Sequence, residues 1–181
     1  NSGAIYQVDG TDTVGAISGS GSIILANDKT LTTVVNSDRT FSGVISGGGN
    51  LTKSGTRILT LSGSNTFTGR TSIAQGTLSI SSDSNLGTAP GSFVSNQLSI
   101  ANTMTLSLAD GVTLNANRGI SLASGGVTYA RITNSGTSTI LGVISGAALT
   151  KSGSGTLTLS GVNTYTGTTT ISAGTLSVAT I

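Results

Sequence analysis

The sequence predicts an all-β protein of the parallel β-helix, or β-solenoid, type. Three observations carry this: a strand-forming composition, a long internal repeat, and short apolar alternations that recur along the chain. Thirty-one threonines, 29 serines, 27 glycines and 12 asparagines make up more than half of the 181 residues, while Glu, His, Cys and Trp are absent and Lys occurs three times. Helix formers are therefore scarce, and the apolar residues are mainly Leu, Ile, Val and Ala interleaved with Thr and Ser, which is the vocabulary of strands. Disorder goes with low hydrophobicity and high net charge. Here mean hydropathy is +0.25 and charged residues are 8%.

The elements follow in order. Residues 13–42 read as a partial repeat, opened by Gly-x-Ile-Ser-Gly at Gly15 to Gly19. The same lead-in returns at Gly43 to Gly47 and at Gly142 to Gly146, each time introducing a longer unit, so that the internal repeats span 43–80 and 142–178. Within them, residues 51–80 and 149–178 align without gaps at 20 identities in 30 positions. Apolar residues alternate in both copies: Leu59 and Leu61, then Leu78 and Ile80, match Leu157 and Leu159, then Leu176 and Val178. Period-two alternation means one face is buried. Between these strands, Ser-Gly-Ser-Asn-Thr-Phe-Thr-Gly at 62–69 and Ser-Gly-Val-Asn-Thr-Tyr-Thr-Gly at 160–167 supply the Gly and Asn that favour turns. Residues 81–141 hold no clean copy but keep the rhythm through Leu98 and Ile100, Met104, Leu106 and Leu108, Val112 and Leu114, Ile120 and Leu122, and Val127 and Tyr129, and read as divergent coils.

Inward Leu, turn Gly and outward Thr at fixed offsets imply that equivalent residues stack, as in the coils of a solenoid. Three short strands with their turns consume roughly 20 to 28 residues, giving about six to nine coils and a rod about 30 to 45 Å long at the spacing of paired strands. Residues 1–181 then form a single β-helical segment of a larger protein. The chain has no initiating Met and no signal-peptide pattern, and reads as an excised fragment.

Composition also excludes functions. Net charge is +2, and Arg39, Arg57, Arg70, Arg118 and Arg131 are scattered without a cluster, so nucleic acid is not an expected partner despite a pI near 9.3. No apolar run approaches the roughly 20 residues of a membrane-spanning helix. Without His or paired carboxylates, general acid–base chemistry lacks its usual groups. The six Asp residues (Asp9, Asp12, Asp28, Asp38, Asp83 and Asp110) are dispersed apart from the first pair. A Ser nucleophile would lack a His partner, and a glycan-cleaving β-helix would need a clustered groove; no catalytic residue is assigned.

Five features could act as sites. Asp9-Gly-Thr-Asp12 resembles the start of a calcium loop but lacks further acidic ligands, and reads as a solvated turn. Phe67 and Tyr165 occupy equivalent turn positions, where packing is preferred over stacking on a sugar, and Asn65 and Asn163 beside them read as satisfying backbone groups at the bend. Gly47 to Gly49 lacks the ending of a phosphate cradle and reads as a loop. Asn50-Leu51-Thr52 is a glycosylation sequon. Thr60 with Ser62, and Thr158 with Ser160, resemble outward hydroxyl rows of ice-binding solenoids, but the middle third breaks the Thr-x-Thr step. No cofactor or metal is expected.

The long repeat, Leu-Thr-Lys-Ser-Gly, Leu-Thr-Leu-Ser-Gly, Asn-Thr-(Phe/Tyr)-Thr-Gly and Gly-Thr-Leu-Ser, closely resembles the autotransporter-associated β-strand repeat found in passenger regions of bacterial autotransporters. The resemblance covers two full copies and the lead-ins. In the first copy, Arg57 and Ile58 stand where the second has Gly155 and Thr156, and Arg70 stands where it has Thr168. The resemblance implies a right-handed, single-stranded parallel β-helix, a secreted location on the bacterial cell surface, and a non-catalytic stalk or scaffold that aids export, folding and display. It places the translocating outer-membrane barrel elsewhere in the parent protein. The alternative expectation is an adhesin or self-assembling fibre subunit. Partners would be adjacent coils, other copies stacked end to end at the open edge after Thr180 and Ile181, or a host surface or glycan.

Overall fold

A computed structural model of the chain describes residues 3–123 and 129–179. Val127 of the predicted rhythm and the terminal Thr180 and Ile181 lie outside the described residues. The fold is the expected all-β solenoid: every strand pairing is parallel, and the chain makes about 8 turns around three faces.

Face one is a seven-stranded sheet of β2 (Asp12–Val14), β4 (Thr30–Val34), β7 (Asn50–Ser54), β9 (Thr71–Ile73), β11 (Val94–Ile100), β14 (Arg118–Leu122) and β17 (Ile144–Gly146). Face two has seven more: β5 (Arg39–Phe41), β8 (Ile58–Leu61), β10 (Thr77–Ile80), β12 (Thr105–Leu108), β15 (Ala130–Asn134), β18 (Leu149–Ser152) and β20 (Thr169–Ile171). Face three is divided. It begins as β1 (Ile5–Val8), β3 (Ser22–Leu25) and β6 (Val44–Gly47) and ends as β13 (Thr113–Leu114), β16 (Thr137–Ile140), β19 (Thr156–Leu159) and β21 (Thr175–Val178). Between the two parts the chain crosses as the Asn65–Thr68 segment, whose Thr66 and Thr68 amides bond to the Ile45 and Gly47 carbonyls of β6, and as a 3-10 turn, Asp83–Leu86, capped by Ser82 and Asn85.

Alternation builds the core. On face one Leu31, Leu51, Thr71, Leu98, Ile120 and Ile144 stand in one register column, and on face two Leu59, Leu78, Leu106 and Ile132 stand in another. All ten are buried. Burying a Leu or Ile side chain stabilises by about 1.5–3 kcal/mol, so these columns, aliphatic except at Thr71, supply what a single coil cannot. Leu176 and Val178 on β21 are only half-buried.

Coil length is uniform inside the repeats and variable between them. Leu51 pairs with Thr71, 20 residues on, whereas Thr71 pairs with Leu98, 27 residues on. The unequal coils shift the second copy around the solenoid, contrary to the stacking of equivalent residues expected from the repeat. Leu51 lies on face one, but its equivalent Leu149 lies on face two; Leu59 lies on face two and its equivalent Leu157 on face three. The second copy is displaced by four turns and one face, so equivalent residues of the two copies do not stack. Each copy instead stacks its own two coils. The displacement is tolerated because all three faces ask for the same thing, an apolar residue at every second position and a turn at each corner.

Candidate functional site

The sequence candidates are resolved individually. Phe67 and Tyr165 are both inside, at 0% and 5% exposure, and neither presents a ring to a ligand. Asn65 and Asn163 act as the bend reading anticipated. Oδ1 of Asn65 accepts from Ile45 N–H at 2.8 Å, and its Nδ2 donates to the Asn85 carbonyl at 2.6 Å; Asn163 Oδ1 accepts from Ile144 N–H at 2.9 Å. Gly48 and Gly49 face backbone and side chain of the preceding turn, where an added Cβ would lie 2.0 Å from Asn27 Oδ1 and 2.6 Å from Ala26 O, so these glycines permit close approach of two coils.

Five of the six carboxylates are engaged within the chain. Asp12 accepts from Tyr6 Oη and from Thr13 N–H, and Asp9 from Gln7 Nε2. Hydrogen bonding to Asp12 raises the Tyr6 pKa. Asp38 accepts from Ile58 N–H, and Asp110 from Thr137 N–H. Asp83 accepts from Asn115 N–H and forms a two-pronged ion pair with Arg118, both contacts at 3.0 Å. The remaining guanidinium donors of Arg118 reach the carbonyls of Leu86 and Gly87. Arg118 is 1% exposed, and the pair clamps the 3-10 turn where face three is interrupted. Among the described residues no group of three or more His, Cys, Asp or Glu is placed to hold a metal, and no helix is long and apolar enough to cross a membrane.

Lys53 and Lys151 were not anticipated. Both occupy inward positions and are fully buried, and each ammonium is held by carbonyls across two coils: Ser54, Gly55 and Gln75 for Lys53, and Ser152, Gly153 and Ala173 for Lys151. Burial lowers the Lys53 pKa to about 8, opposed by the Asp38 charge, and also lowers that of Lys151. The signal was present: a lysine two residues after an inward Leu, in both copies, is in the inward phase.

A polar groove of about 600 Å³ lies on face one over the first copy. Thr52, Ser72 and Ser99 stand in register on three successive strands along it. Asn50 and Arg70 line it beside them, and Asn50 Oδ1 accepts from Arg70 N–H at 2.8 Å. β11 contributes through an irregularity: Val94 pairs with Arg118 and Leu98 with Ile120, leaving extra residues that carry Asn96 and Gln97 to the groove. Gln97 is buried, its Nε2 donating to Gly69 O at 2.7 Å. Asp28, in a left-handed turn with φ 61°, completes the lining. The Thr rows weighed for ice are partly continuous. Thr40, Thr60, Ser79, Ser107, Thr133 and Ser152 align on face two, but Arg131 interrupts the neighbouring column after Thr105.

The described residues thus form a β-solenoid with a largely aliphatic interior, two carbonyl-held lysines and no cluster of metal-binding groups. In comparison with known proteins, residues 51–80 and 149–178 each match the passenger-associated-transport-repeat, so the chain carries two copies of that repeat. It is also similar to a protein of Brucella suis biovar 1 (strain 1330) named adhesin BmaC autotransporter, at 38% identity over 175 residues, covering 96% of this chain and 5% of that protein. The chain thus spans a small fraction of that relative's length. No solved structure matches the chain.

Proposed function

We propose that the chain is a non-catalytic stalk of a secreted bacterial surface protein of the autotransporter passenger type, a single β-helical segment of a larger protein that aids export and folding and carries other parts outward. One observation carries the reading. Each coil completes its backbone hydrogen bonds and its aliphatic columns only against the next coil, so each coil added outside the cell buries the previous one and opposes back-sliding. The parent protein would hold the translocating barrel elsewhere. The test is surface appearance of a parent passenger carrying this segment, followed by protease accessibility of intact cells. Leu159→Asp, which buries an unpaired charge, is expected to slow appearance several-fold; unchanged kinetics would refute the export role.

An adhesive role is the second reading. It is favoured by the polar groove and by similarity to a protein named an adhesin. Binding of the purified chain to host-cell surfaces tests it, and no binding above a scrambled β-helix control would remove it.

A further inference from the structure

The two repeat copies differ where the groove lies. Leu51, Thr52 and Lys53 are repeated as Leu149, Thr150 and Lys151, whereas Asn50 is replaced by Ala148 before Leu149, and Arg70 by Thr168. Asn50 and Arg70 lie together in the groove, joined by the 2.8 Å bond from Arg70 N–H to Asn50 Oδ1. Two positions at which the copies differ, Asn50 against Ala148 and Arg70 against Thr168, therefore meet at one surface site, while Arg57, Ile58, Phe67 and Ile80 differ elsewhere. The coil above departs as well. Its extra length emerges as the bulged start of β11, and bulges re-aim side chains beside functional sites.

The groove also holds unspent hydrogen-bonding capacity. Among the described residues, the Arg70 guanidinium makes no ion pair or hydrogen bond, and the side chains of Thr52, Ser72, Asn96, Ser99 and Asp28 make no hydrogen bond. Asp28 differs in this from the other five carboxylates, all of which are engaged. Peptide-binding sites centre on buried aromatic or aliphatic anchors. None lines this groove: the apolar member of the lining, Leu51, is directed into the core. Hydroxyls and amides in rows, without an apolar pocket, suit a polyhydroxylated ligand.

We propose that this groove binds a carboxylate-bearing glycan. Arg70 pairs with the carboxylate through its planar fork of donors; Thr52, Ser72, Ser99 and Asn96 bond ring hydroxyls; and Asp28 accepts a hydroxyl at the opposite sign of charge, fixing the direction in which the sugar lies. The inference rests on the adhesive reading and names its ligand class.

The test uses the 181-residue chain against a printed panel of neutral, sulfated and carboxylated oligosaccharides, with three variants. Arg70→Thr and Asn50→Ala install residues of the second copy and so suit the fold, which a melting curve checks. Arg131→Thr removes the same charge from the exposed neighbouring face. The expected result is binding to carboxylated members, weakened at least about tenfold by Arg70→Thr, as for loss of a charge-assisted hydrogen bond, and several-fold by Asn50→Ala, with Arg131→Thr unchanged. Equal weakening by Arg70→Thr and Arg131→Thr would overturn the proposal as general charge attraction, and preference for sulfated members would overturn the carboxylate assignment. If no oligosaccharide binds while the chain still adheres to cells, the glycan site fails and the adhesive reading stands; if neither binds, both fail.

Discussion

Asn65 and Asn85 hold three coils together. Asn65 takes the amide of Ile45 on the coil before and gives its Nδ2 to the carbonyl of Asn85 on the coil after, while Asn85 returns its own Nδ2 to the carbonyl of Gly63 at 3.0 Å. Both side chains are buried, so their backbone partners have no access to water. Replacing Asn65 with Ala leaves a donor and an acceptor unpaired, at about 1–3 kcal/mol each. Urea unfolding is expected to show a loss of about 2–5 kcal/mol. Asn163→Ala should cost less, because Asn163 sends its Nδ2 to Gly161 within its own turn.

The buried lysines make stability depend on pH in an unusual direction. Burial lowers the Lys53 pKa from 10.5 to about 8 and lowers that of Lys151 also. Between about pH 8 and 10 the unfolded chain therefore binds more protons than the folded one, and stability rises with pH through that window. Below it the lysines are charged in both states and their burial is felt in full. Neither His nor Cys is present to titrate nearby. The urea midpoint should climb across the window and climb less in Lys53→Met; a flat or falling profile would contradict the burial of these ammonium groups.

Gly76 closes the Lys53 cage and has no room for a side chain. Its φ is +70°, and an added Cβ would lie 2.5 Å from Gly55 O and 2.7 Å from Lys53 Nζ. Gly76→Ala combines left-handed strain, about 1–2 kcal/mol, with displacement of the ammonium. The expected loss exceeds that of Gly91→Ala, where the space is open. Equal melting temperatures for the two variants would count against the cage.

Arg118 depends on Asp83. Asp83→Asn leaves a buried guanidinium without its carboxylate, and breaking such a pair by removing one partner costs about 3–5 kcal/mol. A double variant, Asp83→Asn with Arg118→Met, should recover part of that loss, because no uncompensated charge remains. Full additivity in the cycle would show that the two residues act independently.

Much of this was legible in the chain. The inward Leu pairs, the turn asparagines and the preference for packing over sugar stacking at Phe67 and Tyr165 all follow from alternation and from repetition of a residue with its surrounding turn. Lys53 and Lys151 are marked in the sequence only by their phase, two residues after the inward Leu51 and Leu149, which points inward. The Arg118–Asp83 pair escaped because its partners are 35 residues apart and neither belongs to a repeat. The groove had a trace in the sequence at Arg70, which stands where the second copy has Thr168.

The sequence by itself determined that the chain coils, roughly how long a coil is, and which Leu and Ile side chains point inward, because these depend on period-two alternation and turn chemistry within a few residues. It could not determine which face each repeat occupies. That depends on the summed lengths of the coils between the copies, and the added length of the intervening coils turns the second copy by one face. Only the tertiary structure decided which residues of different coils meet: Lys53 with the Gln75 carbonyl and Arg118 with Asp83, and that Arg70 shares a groove with the hydroxyls of three successive strands. Contacts across coils are fixed by register, and register is set by every loop that precedes them.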